Sequence, residues 1–167
     1  MVVKKLTVDI DYNDTFLLLG IVSTFVDYQL VHHINKTIGF NFAKHKDFAF
    51  HSNEKEPITY SWFYCKSDEM KIKSFLIANH HSKQKLLPDY RQIDYLLIIE
   101  KSGNMEEIDA MVAILRKVKG VTGVFKLNLS KIKEIELLLE KNEMHELSII
   151  NEIKVTNRLA KTEPTQG

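Results

Sequence analysis

Tyr60, Trp62 and Tyr64 alternate along one segment, and Lys71 and Lys73 alternate along the next. Aromatic rings in a row on one face of a strand can stack unpaired bases, and lysines beside them can hold phosphates. The loop with His80, His81, Lys83, Lys85 and Arg91 is the best phosphate-facing patch in the chain. Row and loop together have the chemistry of an RNA-binding surface. The same row also fits a core, because the alternate positions offer only Phe63 as a large side chain beside Ser61 and Cys65. Charge-rich loops are commonly just solvated.

Other groupings offer less. His32-His33 and His80-His81 are sequence neighbours, so their rings point apart on either a helix or a strand, and no metal is expected on them. Asp9, Asp11 and Asp14 are spaced like the start of a calcium loop but lack its glycine and closing glutamate, which leaves a turn. Gly120-Val121-Thr122-Gly123 looks like a backbone clamp, yet it follows a helical pattern and enters a strand, so it presents a helix carboxyl end rather than an anion-binding amino end. Cys65 sits in an apolar run and reads as an inert thiol. GxSxG, a Walker loop, a dinucleotide fingerprint and HExxH do not occur, so the expectation is a protein with no catalytic residues and no cofactor.

Composition sets the frame. The 167 residues fit one domain. Lys plus Arg number 23 and Asp plus Glu 22, a formal charge of +1, so any electrostatic partner must be met by a local patch. At 44% hydrophobic and 27% charged, the chain is an ordinary globule rather than a disordered or fibrous one. A single cysteine makes no intramolecular disulfide, and a reducing cytoplasm is expected. The apolar run over 16–22 is too short to cross a membrane, and the first residues read as strand rather than export signal.

Period-two alternation predicts a strand over 4–10, and the run over 16–22 predicts a second strand pairing with it across the turn at 11–14. Ser23 or Thr24 is placed to cap a helix over about 25–38, which Gly39 ends. Strands follow over 48–51, 58–65, 70–78 and 93–100, with 66–69 as a hairpin connection. Asn104 and Glu107 suggest a capping box, and Ile108, Met111, Val112, Leu115 and Val118 form an apolar helical stripe. A strand over 121–127 completes a strand-helix-strand unit. Ser130 is placed to cap a helix to about 141, and an amphipathic segment over 144–153 continues it. The expected fold is α+β: one domain over 1–153, with a mixed, largely antiparallel sheet and about three helices on one face. Residues 154–167, polar and poor in apolar side chains, are expected to form a disordered tail.

The segment Leu87-Pro88-Asp89-Tyr90-Arg91-Gln92-Ile93-Asp94-Tyr95 resembles the signature of the IPExxxVDY family of small bacterial proteins, with Leu for Ile, Asp for Glu and Ile for Val. Gly20-Ile21-x-Ser23, followed by Asp27-Tyr28-x-Leu30, is similar to that family's strand-to-helix passage. The resemblance implies a fold and a bacterial cytoplasmic setting; it brings no catalytic residues. Physically, Pro88 suits a turn, Asp94 could accept N–H groups from that turn, and Tyr95 alternates to the other face. The segment is then either a structural lock or a carboxylate-tyrosine surface for a partner.

Three functions follow as expectations. The first is a non-enzymatic binding or regulatory module acting through protein contacts, including self-association through Met144, Leu147, Ile150 and Ile153. The second is an RNA-associated protein using Tyr60, Trp62, Lys71, Lys73 and the basic loop. The third is a small-molecule sensor, by analogy with strand-helix-strand regulatory domains.

Overall fold

The computed structural model describes residues 12–53, 56–69, 71–100 and 105–162. The strand expected over 4–10, Asp9, Asp11 and the capping residue Asn104 lie outside them. Along the chain run α1 (Tyr12–Thr15), β1 (Phe16–Ser23), α2 (Asp27–Ile38), β2 (Ala43–Lys44), β3 (Phe48–Asn53), β4 (Glu56–Tyr60), β5 (Trp62–Ser67), β6 (Ile72–Ala78), β7 (Tyr95–Glu100), α3 (Met105–Leu115), β8 (Val121–Leu127), a short 3-10 turn (Leu129–Lys131) and α4 (Ile135–Thr162). Six strands form the main sheet in the order β2-β5-β6-β7-β1-β8, and β3 and β4 pair as a separate ribbon. Every neighbouring pair is antiparallel. This is the expected α+β class.

The helices are not gathered on one face. Successive residues of a strand point to opposite sides, and in β7 Tyr95, Leu97 and Ile99 join one core while Leu96 and Ile98 join another. The first core is closed by Leu30, Val31 and Ile34 of α2 and by Ile108, Met111, Val112 and Leu115 of α3. Phe48, Phe50, Ile58 and Tyr60 of the ribbon and Leu138, Leu139 and Ile149 of α4 close the second. β7, and β6 from Phe75 to Ala78, are apolar at both alternating sets of positions, so each side of the sheet needs its own cover.

Pairing also departs from the local reading. β1 is held by β7 on one edge and β8 on the other, with Leu18 opposite both Ile98 and Leu127. β7 and β8 therefore run parallel to each other on either side of β1, joined through α3. The run over 58–65 divides at Ser61: β4 goes to the ribbon and β5 to the main sheet. Where the sequence predicts a turn between strands over 11–14, residues 12–15 form one helical turn.

Caps follow the same pattern. Gly39, at φ 79°, closes α2 in the left-handed conformation, as expected. At the other end Val26 is the cap and contributes no side-chain hydrogen bond; the Ser23 hydroxyl instead accepts the Phe25 N–H at 3.1 Å. Ser130 caps no helix: Asn128 caps the 3-10 turn by accepting the Ser130 N–H. α4 begins at Ile135 and continues through Thr162 without a break at 141 or 153. Its 28 residues span about 42 Å at 1.5 Å per residue. The boundary at 153 thus falls within a helix rather than at its end.

Candidate interaction surface

The signature segment folds against the passage from β1 into α2, which joins the two stretches that carry the family resemblance. Pro88 occupies the second position of a turn closed by Tyr90 N–H to Leu87 O at 3.0 Å. Asp94 Oδ2 accepts the Ser23 N–H at 2.9 Å, across the sheet rather than from its own turn, and the Asp94 N–H donates to Ile21 O at 2.9 Å. On the other face the buried Tyr95 hydroxyl donates to Phe25 O at 2.7 Å. Burial holds that hydroxyl well above its ordinary pKa, helped by the negative charges of Asp27 and Asp94. Gly20 lets Ile93 approach: a Cβ there would lie 2.6 Å from the Ile93 side chain. Asp89 is exposed, Asp27 accepts the N–H of its neighbour Tyr28, and Tyr28 points to solvent.

Sequence reasoning missed the hub of this region. Asn79 is fully buried, and its side chain accepts Leu87 N–H at 2.7 Å while donating to Tyr90 O at 3.1 Å and Ile93 O at 2.8 Å. Its backbone adds Leu86 N–H to Asn79 O and Asn79 N–H to Asp94 O. One amide side chain thereby shapes the loop from 79 to 94. In sequence it is an asparagine among polar loop residues, which reads as an ordinary turn.

The aromatic row is core. Tyr60 is 1% exposed and Trp62 0%, so neither ring can stack a base. Tyr60 donates to Gln84 O at 2.9 Å, and burial pushes its hydroxyl up to about 12. Trp62 Nε1 donates to Asn142 Oδ1 of α4 at 2.8 Å. Lys73 lies 3.3 Å from Glu146 and 3.9 Å from Glu100, while Lys71 is exposed in a left-handed turn at φ 52°. The basic loop meets the row at Tyr60, against which the His81 ring packs edge-on, but the Tyr60 ring is buried and offers no open binding face. His80 packs its ring edge on Tyr95, His81 Nδ1 accepts the Lys83 N–H, and Lys83 pairs with Glu56 at 3.8 Å. Lys85 is half-buried and Arg91 exposed.

The remaining groupings have structural explanations. His33 stacks on Phe25, and its pKa is lowered by desolvation and then by the charges of His32, Lys119 and Lys36. Phe25 also covers Gly120, which sits at φ 86° with the ring where a Cβ would stand. Cys65 is buried, and burial raises its pKa. Asp14 lies in α1. Among the described residues no group of three His, Cys, Asp or Glu side chains is arranged to hold a metal ion, and no helix is long and apolar enough to cross a membrane.

α4 presents two different faces. Toward the domain, Asn142 bonds Trp62, Glu146 pairs with Lys73, Lys141 donates to Phe50 O at 3.2 Å, and His145 Nε2 lies 2.8 Å from Lys46 O. The His145 ring packs edge-on against Trp62 and Phe48, and burial is the main cause of its lowered pKa. The opposite face carries Met144, 62% exposed, Leu147, 52%, and Val155, 56%, lining one shallow groove with Ser148 and Asn151. From Asn151 through Lys161 every residue is exposed. The expected strip shares Met144 and Leu147 but not the rest. Steps of three advance about 300° along a helix, so Ile150 and Ile153 wind off the outer face, while steps of three and four hold it. Val155 belongs to a helical turn that the expected tail did not contain.

No family model, curated protein or solved structure matches the chain.

Proposed function

We propose that this protein is a non-enzymatic binding or regulatory module of the cytoplasm that acts through protein–protein contacts, with the outer face of α4 as its contact surface. One observation carries the reading: a helix seated by its inner face continues past its last core residue, Ile149, with apolar side chains on the outside. Exposed apolar side chains aligned on a helix mark a partner surface more often than isolated ones do. Cys65, buried and the single cysteine of the sequence, fits a reducing compartment. Several groups suited to acid–base work have structural partners instead: His51 on Leu86 O, His145 on Lys46 O and Asp94 on the Ser23 N–H.

Site-specific photo-crosslinking in bacterial cytoplasm tests the reading. A photoreactive residue at Leu147 or Val155 of the full chain should give polypeptide adducts, and the same residue at exposed Lys126 of β8 should give few. Equal yields at the three positions would remove α4 as the contact surface.

A further inference from the structure

Resting on that reading, we propose that the partner is a second copy of this chain, laid antiparallel along the outer face of α4 with the two-fold axis at Asn151. The inner face is committed to Trp62, Lys73, Phe50 and Lys46, which fixes the outward direction of Met144, Leu147, Asn151 and Val155. Leu147 and Val155 stand one helical turn to either side of Asn151. Antiparallel pairing about Asn151 therefore seats Leu147 of each copy against Val155 of the other, and Asn151 against its own equivalent. Asn151 on the axis sets register, because only there does its amide meet its own equivalent, and a slip by one turn would place it against Leu147 or Val155.

Charge chooses the direction. The first half of α4 carries Glu136, Glu140, Glu143 and Glu146 against the single Lys141, whereas the last turns carry Lys154, Arg158 and Lys161. Parallel copies would set acid beside acid and base beside base. Antiparallel copies set Glu140 and Glu143 of one beside Arg158 and Lys161 of the other, on the same flank of the seam, and also oppose the two helix dipoles. A dimer related by a two-fold axis needs a surface complementary to itself. This face meets that condition in both its apolar spacing and its charges.

Sedimentation of the full chain over a hundredfold range of concentration should show the mass rise from monomer to dimer. Leu147→Glu and Val155→Glu should each raise the dissociation constant by about tenfold or more, with helix content unchanged by circular dichroism because both positions face solvent in the monomer. Glu143→Lys and Lys161→Glu should each weaken the dimer, and the two combined in one chain should recover most of the loss. Mixing the single variants Leu147→Cys and Val155→Cys under oxidation should join unlike chains in preference to like ones; preferential like-chain bridging would overturn the antiparallel register. A monomer throughout, with adducts from position 147 to some other polypeptide, would overturn the second copy and leave the contact reading standing. A monomer without adducts would remove both.

Discussion

The loop from 79 to 94 and the outer half of α4 spend their residues in opposite ways. Asn79 and Asp94 in the loop, with Tyr95 at the start of β7, each reach backbone groups distant in sequence and bind three chain segments into one unit. On α4, the groups that bond to the domain are confined to one face, and the other carries apolar side chains into solvent. Residues that look chemically equipped are thus consumed by the fold, while plain aliphatic ones are left available for contact. The comparison predicts that substitutions in the loop act on stability and that substitutions on the outer helix act on association.

Asn79→Ala should have the largest effect. It leaves Leu87 N–H, Tyr90 O and Ile93 O buried without their side-chain partner, which predicts a loss of about 3 kcal/mol, read from the urea midpoint. A loss as small as that of a surface substitution would break the contrast at its strongest point. Asp94→Ala removes the acceptor for Ser23 N–H and should cost about 1.5 kcal/mol, while Asp94→Asn retains an acceptor oxygen and should cost less. An Asp94→Ala protein of unchanged stability, still folded, would return the carboxylate to the role of a partner surface.

A smaller effect is expected from pH. The folded protein favours neutral His145, whereas the unfolded chain takes up a proton near the ordinary value of 6.5. The unfolded state binds more protons between the lowered folded value and 6.5, so stability is full above pH 6.5 and declines as pH falls through the folded value. His33 is lowered in the same direction. His145→Gln should therefore flatten the acid side of the melting-temperature profile without abolishing its slope. Smallest of all, Leu147→Gln should leave the stability of the monomer within about 0.5 kcal/mol, measured by denaturant at a concentration too low for association. A large loss would show that the outer face is already packed.

Local pattern made much of this fold legible. Ile108, Met111, Val112 and Leu115 recur at helical spacing and are buried; Gly39 ends α2; β5 and β6 pair as the expected hairpin, although Lys66 and Ser67 of the expected connection extend β5. β7 was legible as a buried strand because its apolar run is continuous. What local pattern could not supply was any choice between distant partners. β1 pairs with strands whose residues lie about eighty and a hundred positions away, and nothing in its own sequence names them. The division at Ser61 and the spread of helices over both faces depend on those same choices. Of the candidate site, Met144 and Leu147 were visible from spacing. Val155 was not, because the polar composition after 153 reads as tail, although this stretch continues a helix already nucleated by packing further back.

The indole of Trp62, the only one in the chain, donates its proton to the helix that bears the outer face and lies edge-on to His145 of that helix. Its fluorescence is consequently a built-in gauge of whether α4 is seated. Load arriving at the far end of the helix would register as a change in emission without any attached dye.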